Sequence, residues 1–221
     1  MRRLFSGLSV LLLLAAPMVA EAQYDPTAFF DAGTNPSGPW RYGWKSSTTS
    51  GFVPLTVYAH SGSYYRWSEG SVYGGVYYSG PAAGGGSMAL HPFAGGEIAT
   101  LRFVAPSSGT FSFAGSFGYS YLTTSDVHVN VNNGVDLVTG YISAGSPSTP
   151  FSLLLSLISG DHVDFMVGFG GNGYLYDGTL LDLNAKAAGA VVPEPASLTL
   201  LGIGLAGLGL VGRRRRRSPA A

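Results

Sequence analysis

The chain has 221 residues, no cysteine, 33 glycines and a formal net charge of zero. The absence of cysteine excludes a disulfide framework, thiol catalysis, lipid attachment at an N-terminal cysteine and Cys-ligated zinc. The zero hides unlike parts: Arg2, Arg3 and Arg213 to Arg217 make both ends basic, while residues 23–192 hold five bases against ten acids, a net of −5. Such a body lacks the basic face that a nucleic-acid partner requires.

Residues 1–22 read as a secretory signal peptide. Arg2 and Arg3 form the basic start, Leu8 to Ala16 an apolar run, and Ala20-Glu21-Ala22 an A-x-A cleavage site, so Gln23 is expected to begin the mature chain. The apolar run is too short to be a stable membrane span, which disfavours an uncleaved anchor. The expected route is the Sec translocon.

Residues 23–187 read as one all-β domain, a single jelly-roll-like β-sandwich. Long 3.6-residue periodicity is missing; short alternating segments separated by Gly, Pro, Asn and Ser take its place. Strands are expected over Gly51–His60, Tyr64–Ser68, Ser71–Ser79, Ser87–Leu90, Glu97–Ala105 and Thr110–Phe117. In Asp126–Val131 the valines 127, 129 and 131 share one face and Asp126, His128 and Asn130 the other. Asn133-Gly134 is expected to supply the φ > 0 residues of a type I′ turn into Val135–Ile142. Phe151–Leu157 reads as a strand buried on both faces, followed by His162–Val167 and Thr179–Leu183. About ten short strands at this spacing predict two packed sheets.

The small-residue stretch from Ala185 to Ala190 reads as a linker, with residues 188–192 joining the domain to the tail. Pro193-Glu194-Pro195 cannot extend a helix or a sheet ladder. Residues 196–212 carry no charge and, as a helix, would span roughly 25 Å, the short end for a membrane crossing. Arg213, Arg214, Arg215, Arg216 and Arg217 then act as a stop-transfer block, with residues 218–221 as a short end.

This tripartite tail resembles the PEP-CTERM sorting signal of Gram-negative bacteria: the Pro-Glu-Pro motif, one hydrophobic helix and an Arg-rich end. The resemblance implies export, recognition by exosortase (a membrane-embedded cysteine transpeptidase) and a cut near Pro193, Glu194 and Pro195. It implies a transient anchor, a final place at the cell surface or outside it, and a structural role in exopolysaccharide or biofilm matrix. The body resembles a β-sandwich domain of PEP-CTERM and other bacterial surface proteins, through Asn35-Pro36-Ser37-Gly38-Pro39-Trp40-Arg41-Tyr42-Gly43-Trp44, Leu90-His91-Pro92, Leu101 to Pro106, Asp126 to Val129, Gly160 to Phe165 and Gly171 to Tyr174. Ser37 departs from the usual Asn-Pro-Asn-Gly form of the first motif. Those domains resemble carbohydrate-binding jelly rolls in layout, which implies an adhesive or polysaccharide-binding module as the alternative role.

Trp40, Tyr42 and Trp44 have strand spacing and share a face. Exposed, they would stack on sugar rings; buried, they would fill the core of a sandwich that has no disulfides. Tyr64, Tyr65, Trp67, Tyr73, Tyr77 and Tyr78 form a second dense run. Asp161, Asp164 and Asp177, with Asp182 and Asn172, are calcium candidates by composition, although their spacing fits no EF-hand and Asp161 and Asp177 also suit turns. His128 and His162 alternate with valines and are expected to face solvent or a loop. No nucleophile elbow, phosphate loop or zinc-binding pattern is present. The reading is therefore a non-enzymatic protein with no catalytic residue and no cofactor.

Overall fold

A computed structural model describes residues 22–30, 34–61, 64–70, 73–79, 87–119 and 124–188. The basic start, the apolar leader, Ala20, nearly all of the linker, the sorting motif, the tail helix and the arginine block lie outside the described residues. Among the described residues no helix is long and apolar enough to cross a membrane.

The described body is an all-β sandwich of thirteen strands. They are β1 (Trp40–Lys45), β2 (Val53–Pro54), β3 (Val57–Ser61), β4 (Tyr64–Ser68), β5 (Gly75–Ser79), β6 (Ser87–His91) and β7 (Ile98–Val104). Then follow β8 (Gly109–Tyr119), β9 (Ser125–Val131), β10 (Asp136–Ile142), β11 (Ser148–Leu157), β12 (His162–Gly168) and β13 (Thr179–Ala188). A six-stranded sheet runs β10-β9-β12-β7-β1-β2, and a seven-stranded sheet runs β11-β8-β13-β6-β5-β4-β3. Neighbouring strands pair antiparallel in both, so each strand needs only one apolar face.

The core lies between the sheets. The six-stranded sheet supplies Trp40, Tyr42, Leu101, Phe103, Val127, Val129, Val163 and Phe165; the other supplies Trp67, Val76, Met88, Leu90, Phe111, Phe113 and Phe117. Phe103 packs edge-on against Trp40, Phe111 and Phe113 at ring distances of 5.2–5.5 Å, an arrangement aromatic pairs favour. The Asn35 motif ties the chain entering β1 to this core. Its amide donates to Tyr42 O (2.6 Å) and Leu55 O (2.8 Å), and its oxygen accepts from Tyr42 N (3.0 Å).

The structure corrects four local expectations. The predicted strand over residues 51–60 is two short strands in different sheets, β2 and β3, with buried Leu55 at the crossing. Pro54 lacks the N–H that a continuous ladder would need. The turn after β9 is one residue early: Asn132 (φ 52°) and Asn133 (φ 56°) are its left-handed residues, and Gly134 closes it by donating to Val131 O. Asparagine tolerates this backbone, and tertiary bonds hold it. Asn132 donates to Asp161 Oδ1 and accepts from His162 N, both at 2.9 Å.

β11 is an edge strand, paired with β8 alone, and its burial alternates, so it is not buried on both faces. Phe151 and Leu157 point inward, while Leu154 is 70% exposed. Finally, residues 185–188 continue β13 along β8 rather than starting a linker. Ala185 and Ala187 are small enough to lie buried against Phe111 and Phe113 strand partners.

Candidate functional site

Trp40 and Tyr42 are fully buried, and Trp44, on the same face of β1, packs partly buried against the core. They share a face as their spacing predicts, but it is the inner one. An exposed sugar-stacking platform of these three residues is thereby corrected: their rings contribute packing, with Tyr42 stacked on Trp67 at 6.1 Å.

The proposed calcium ligands are dispersed. Asp164 is fully buried and paired with Lys45 (2.9 Å) and Arg102 (2.7 Å). Asp161 accepts from Ile158 N at 2.8 Å, which closes the turn before β12. Asp177 is buried beside Ser125, and Asp182 lies on the outward face of β13. Among the described residues no three His, Asp or Glu side chains form a metal-holding group.

The outer face of the six-stranded sheet instead carries a sealed charge network. Register places Arg102 opposite Asp164, and Arg102 grips it with two bonds, Nε to Oδ1 (2.7 Å) and Nη2 to Oδ2 (2.8 Å). Lys45 Nζ donates to Asp164 Oδ2 (2.9 Å), Thr48 O (2.6 Å) and Asn133 Oδ1 (3.0 Å). The turn after β1 folds back across this face, so Thr48 O also accepts from Asn130 Nδ2 at 2.8 Å. Phe52 lies over Arg102, its ring centroid 4.4 Å from the guanidinium carbon, in space that a side chain at Gly43 would fill. Neither Lys45 nor Asp164 retains side-chain exposure.

Beside this network, His128 sits between two carboxylates rather than facing solvent. Its Nδ1 meets Asp136 Oδ2 and its Nε2 meets Asp126 Oδ2, both at 2.8 Å. Burial opposes charge on the ring, but the bonds and charges of Asp126 and Asp136 outweigh it and raise the His128 pKa. His162 is half-buried against Asn133, and burial together with the charges of Arg102 and Lys45 lowers its pKa. These contacts bind β1, β7, β9, β10 and β12 together across the face.

The outer face of the seven-stranded sheet is different. A groove of about 570 Å³ crosses it, within the roughly 300–1,000 Å³ typical of ligand clefts. Register explains its floor: Ser79 lies opposite Ser87, and Ala89 opposite both Tyr77 and Leu180, so small outward side chains run across neighbouring strands. Tyr64, Tyr73, Tyr77, Leu175 and Tyr176 rise around that floor. Tyr64 is 61% exposed and Tyr176 66%. Tyr176 holds φ at 67°, a left-handed backbone that bulky residues rarely adopt.

His91 forms part of the wall. It is buried, and its ring lies 6.1 Å from Tyr73 and 6.5 Å from both Tyr77 and Tyr174. Its Nδ1 is 2.8 Å from Pro92 O, which can only accept, so Nδ1 carries the proton. Burial lowers the His91 pKa, which keeps the ring neutral and leaves Nε2 as an acceptor. A second, more polar cavity of about 390 Å³ adjoins the groove, sharing Ser87 and Leu180, and adds Asp25, Thr27, Asp182 and Asn184.

The dense run of tyrosines was visible in sequence, but its alternation alone did not separate Tyr64 and Tyr77 on the outer face from Tyr65 and Tyr78 on the inner one. Tyr176 and His91 joined the site with no sequence signal, because they arrive from other strands and a distant loop.

Residues 191–217 match the PEP-CTERM protein-sorting motif. The chain carries a PEP-CTERM sorting tail. The match covers that tail and not the sandwich. No curated protein matches the sequence. Among solved structures, a family 35 carbohydrate binding module from Clostridium thermocellum is 17% identical, with 48% of this chain and 80% of that one covered and a TM-score of 0.31. CBM51 from Clostridium perfringens GH95, in complex with methyl-galactose, is 10% identical, with coverages of 61% and 95% and a TM-score of 0.36. The CBM51-2 and INT domains of Clostridium perfringens ZmpB, in complex with GlcNAc, are 9% identical, with coverages of 75% and 32% and a TM-score of 0.39. At such identities and scores nothing about site or ligand transfers to this chain.

Proposed function

We propose that this PEP-CTERM protein is an exported, non-catalytic surface or matrix component whose sandwich binds extracellular polysaccharide. The signal peptide passes the body through the Sec translocon and is cut before Gln23. The helix of residues 196–212 and the block Arg213 to Arg217 hold the chain in the inner membrane until exosortase cuts near Pro193-Glu194-Pro195. The body then reaches the cell surface or the extracellular matrix.

The motif at residues 191–217 supports the sorting half. One observation carries the binding half: an open groove with a floor of small residues and walls of exposed tyrosine. A sugar ring has an apolar C–H face and a rim of hydroxyls. Tyrosine meets both, the ring covering the apolar face and the phenol bonding the rim.

Two measurements test the two halves. In an exosortase-bearing host, Glu194→Ala is expected to leave the full-length precursor in the membrane; normal release would remove Glu194 from recognition. The full chain, recovered from the envelope in detergent, is expected to bind at least one matrix polysaccharide. Absence of binding across a broad glycan panel would leave a purely structural matrix role.

A further inference from the structure

The groove also carries information on which polysaccharide it takes, an inference that rests on the binding role above. Among the described residues lining the groove none is Lys or Arg. The remaining titratable base, His91, is buried with Nδ1–H committed to Pro92 O, so it offers an acceptor and not a cation. Arg66 borders the groove without lining it: it lies two residues from Tyr64 on the outward face of β4, opposite Tyr77, with its guanidinium carbon 6.0 Å from the Tyr77 ring. The adjoining cavity adds two acids, Asp25 and Asp182, and no base. Asp25 Oδ1 already accepts from Thr27 N (2.8 Å) and Thr27 Oγ1 (2.7 Å), which orients its carboxyl group at that end.

A uronate or sulfated chain would bring closely spaced negative charges into this trough. They would meet the negative face of tyrosine rings and two carboxylates, with no cation among the described lining residues to replace lost water. A chain of uncharged hexose or N-acetylhexosamine units has no such cost. Its C–H faces fit Tyr64 and Tyr176, and its hydroxyls fit His91 Nε2 and the serine floor. The two cavities share Ser87 and Leu180, so one extended chain can run from the tyrosine walls towards Asp182.

We propose that the groove selects an uncharged polysaccharide chain and rejects polyanionic ones, with tyrosine rings as the sugar platforms and the Asp25–Asp182 end as the charge filter. The test uses the full chain in detergent with hexasaccharides as probes: cellulose-, laminarin- and chitin-derived for the neutral class, alginate-derived for the uronate class. At least one neutral probe is expected to bind at least about tenfold more tightly than the uronate probe. Its affinity is expected to stay within about twofold between about 0.1 M and 1 M salt, because charge screening has nothing to weaken. Tyr64→Ala, an exposed strand position, is expected to weaken the neutral probe by about tenfold, while Tyr64→Phe retains most of the binding. Asp182→Lys is expected to narrow the gap to the uronate probe.

Uronate binding equal to or tighter than neutral binding, or neutral binding that salt abolishes, would overturn the selectivity while leaving the polysaccharide role standing. Neutral binding unaffected by Tyr64→Ala, with the gap to the uronate probe unchanged in Asp182→Lys, would place the site elsewhere. Binding of no probe of either class would overturn the binding role and the selectivity together.

Discussion

The two outer faces of the sandwich solve the same problem in opposite ways. Both belong to antiparallel sheets with one face in a shared core. On the six-stranded sheet, Lys45, Arg102 and Asp164 are placed side by side by register, and the turn after β1 closes over them. Asp164 pairs with both cations there, and neither it nor Lys45 retains side-chain exposure. On the seven-stranded sheet the corresponding positions are Ser79, Ser87 and Ala89, and the tyrosines stand around them instead of over them. Charge left buried needs partners, so it tends to close a surface. Aromatic rings beside small residues leave a trough that another molecule can complete.

The largest expected effect comes from breaking the sealed face. Asp164→Ala leaves Lys45 and Arg102 buried without their shared carboxylate, and should cost about 3–5 kcal/mol of stability. Lys45→Met should cost clearly less, since Arg102 still holds Asp164 with two bonds. Chemical denaturation of the two variants separates these outcomes; equal losses would show that the network is not organised around Asp164. Glycan binding should survive in whatever fraction remains folded.

The open face should show the reverse. Tyr176→Gly removes a ring from the groove and also relieves a left-handed backbone, whose cost in a bulky residue is about 1–3 kcal/mol. Stability is expected to rise by about 1 kcal/mol while affinity for a neutral oligosaccharide falls by about tenfold. A loss of both would make Tyr176 a structural residue and dissolve the contrast between the faces.

The smallest effect is a pH dependence on the sealed side. The folded-state pKa of His128 is raised above its ordinary 6.5, because Asp126 and Asp136 outweigh the burial that opposes its charge. Its contribution is therefore complete below about 6.5 and lost as pH rises through the folded value. Asp126 runs the other way. Burial opposes its charge, but His128 and the Gly170 N–H lower its pKa below 3.8, so its contribution is present above 3.8 and lost as pH falls through the folded value. Melting temperatures measured across pH should show a decline on the alkaline side that His128→Gln removes. A decline that persists in His128→Gln would assign it to another group.

Much of this architecture is legible in the sequence, strand by strand. The valines of β9 and the phenylalanines of β8 declare their inward faces through period-two alternation; Val127, Val129, Phe111, Phe113 and Phe117 are buried and Val131 packs partly buried against the core. Trp40, Tyr42 and Trp44 show where alternation stops: it places the three rings together without saying which side of the sheet they take. The turn at Asn132-Asn133 shows a second limit. Asn133-Gly134 is the better local match, but bonds to Asp161, His162, Lys45 and Arg102 move the turn by one residue.

The sequence by itself determined the sorting motif and the all-β class of the body. The tail's signal is contiguous: Pro193-Glu194-Pro195, an uncharged run and Arg213 to Arg217 act through composition and order, which the motif match reads directly. Only the tertiary structure decided which outer face is sealed and which is open. That choice rests on pairs far apart in the chain, Lys45 with Asp164 and Tyr64 with Tyr176, whose proximity follows from strand order and not from local spacing.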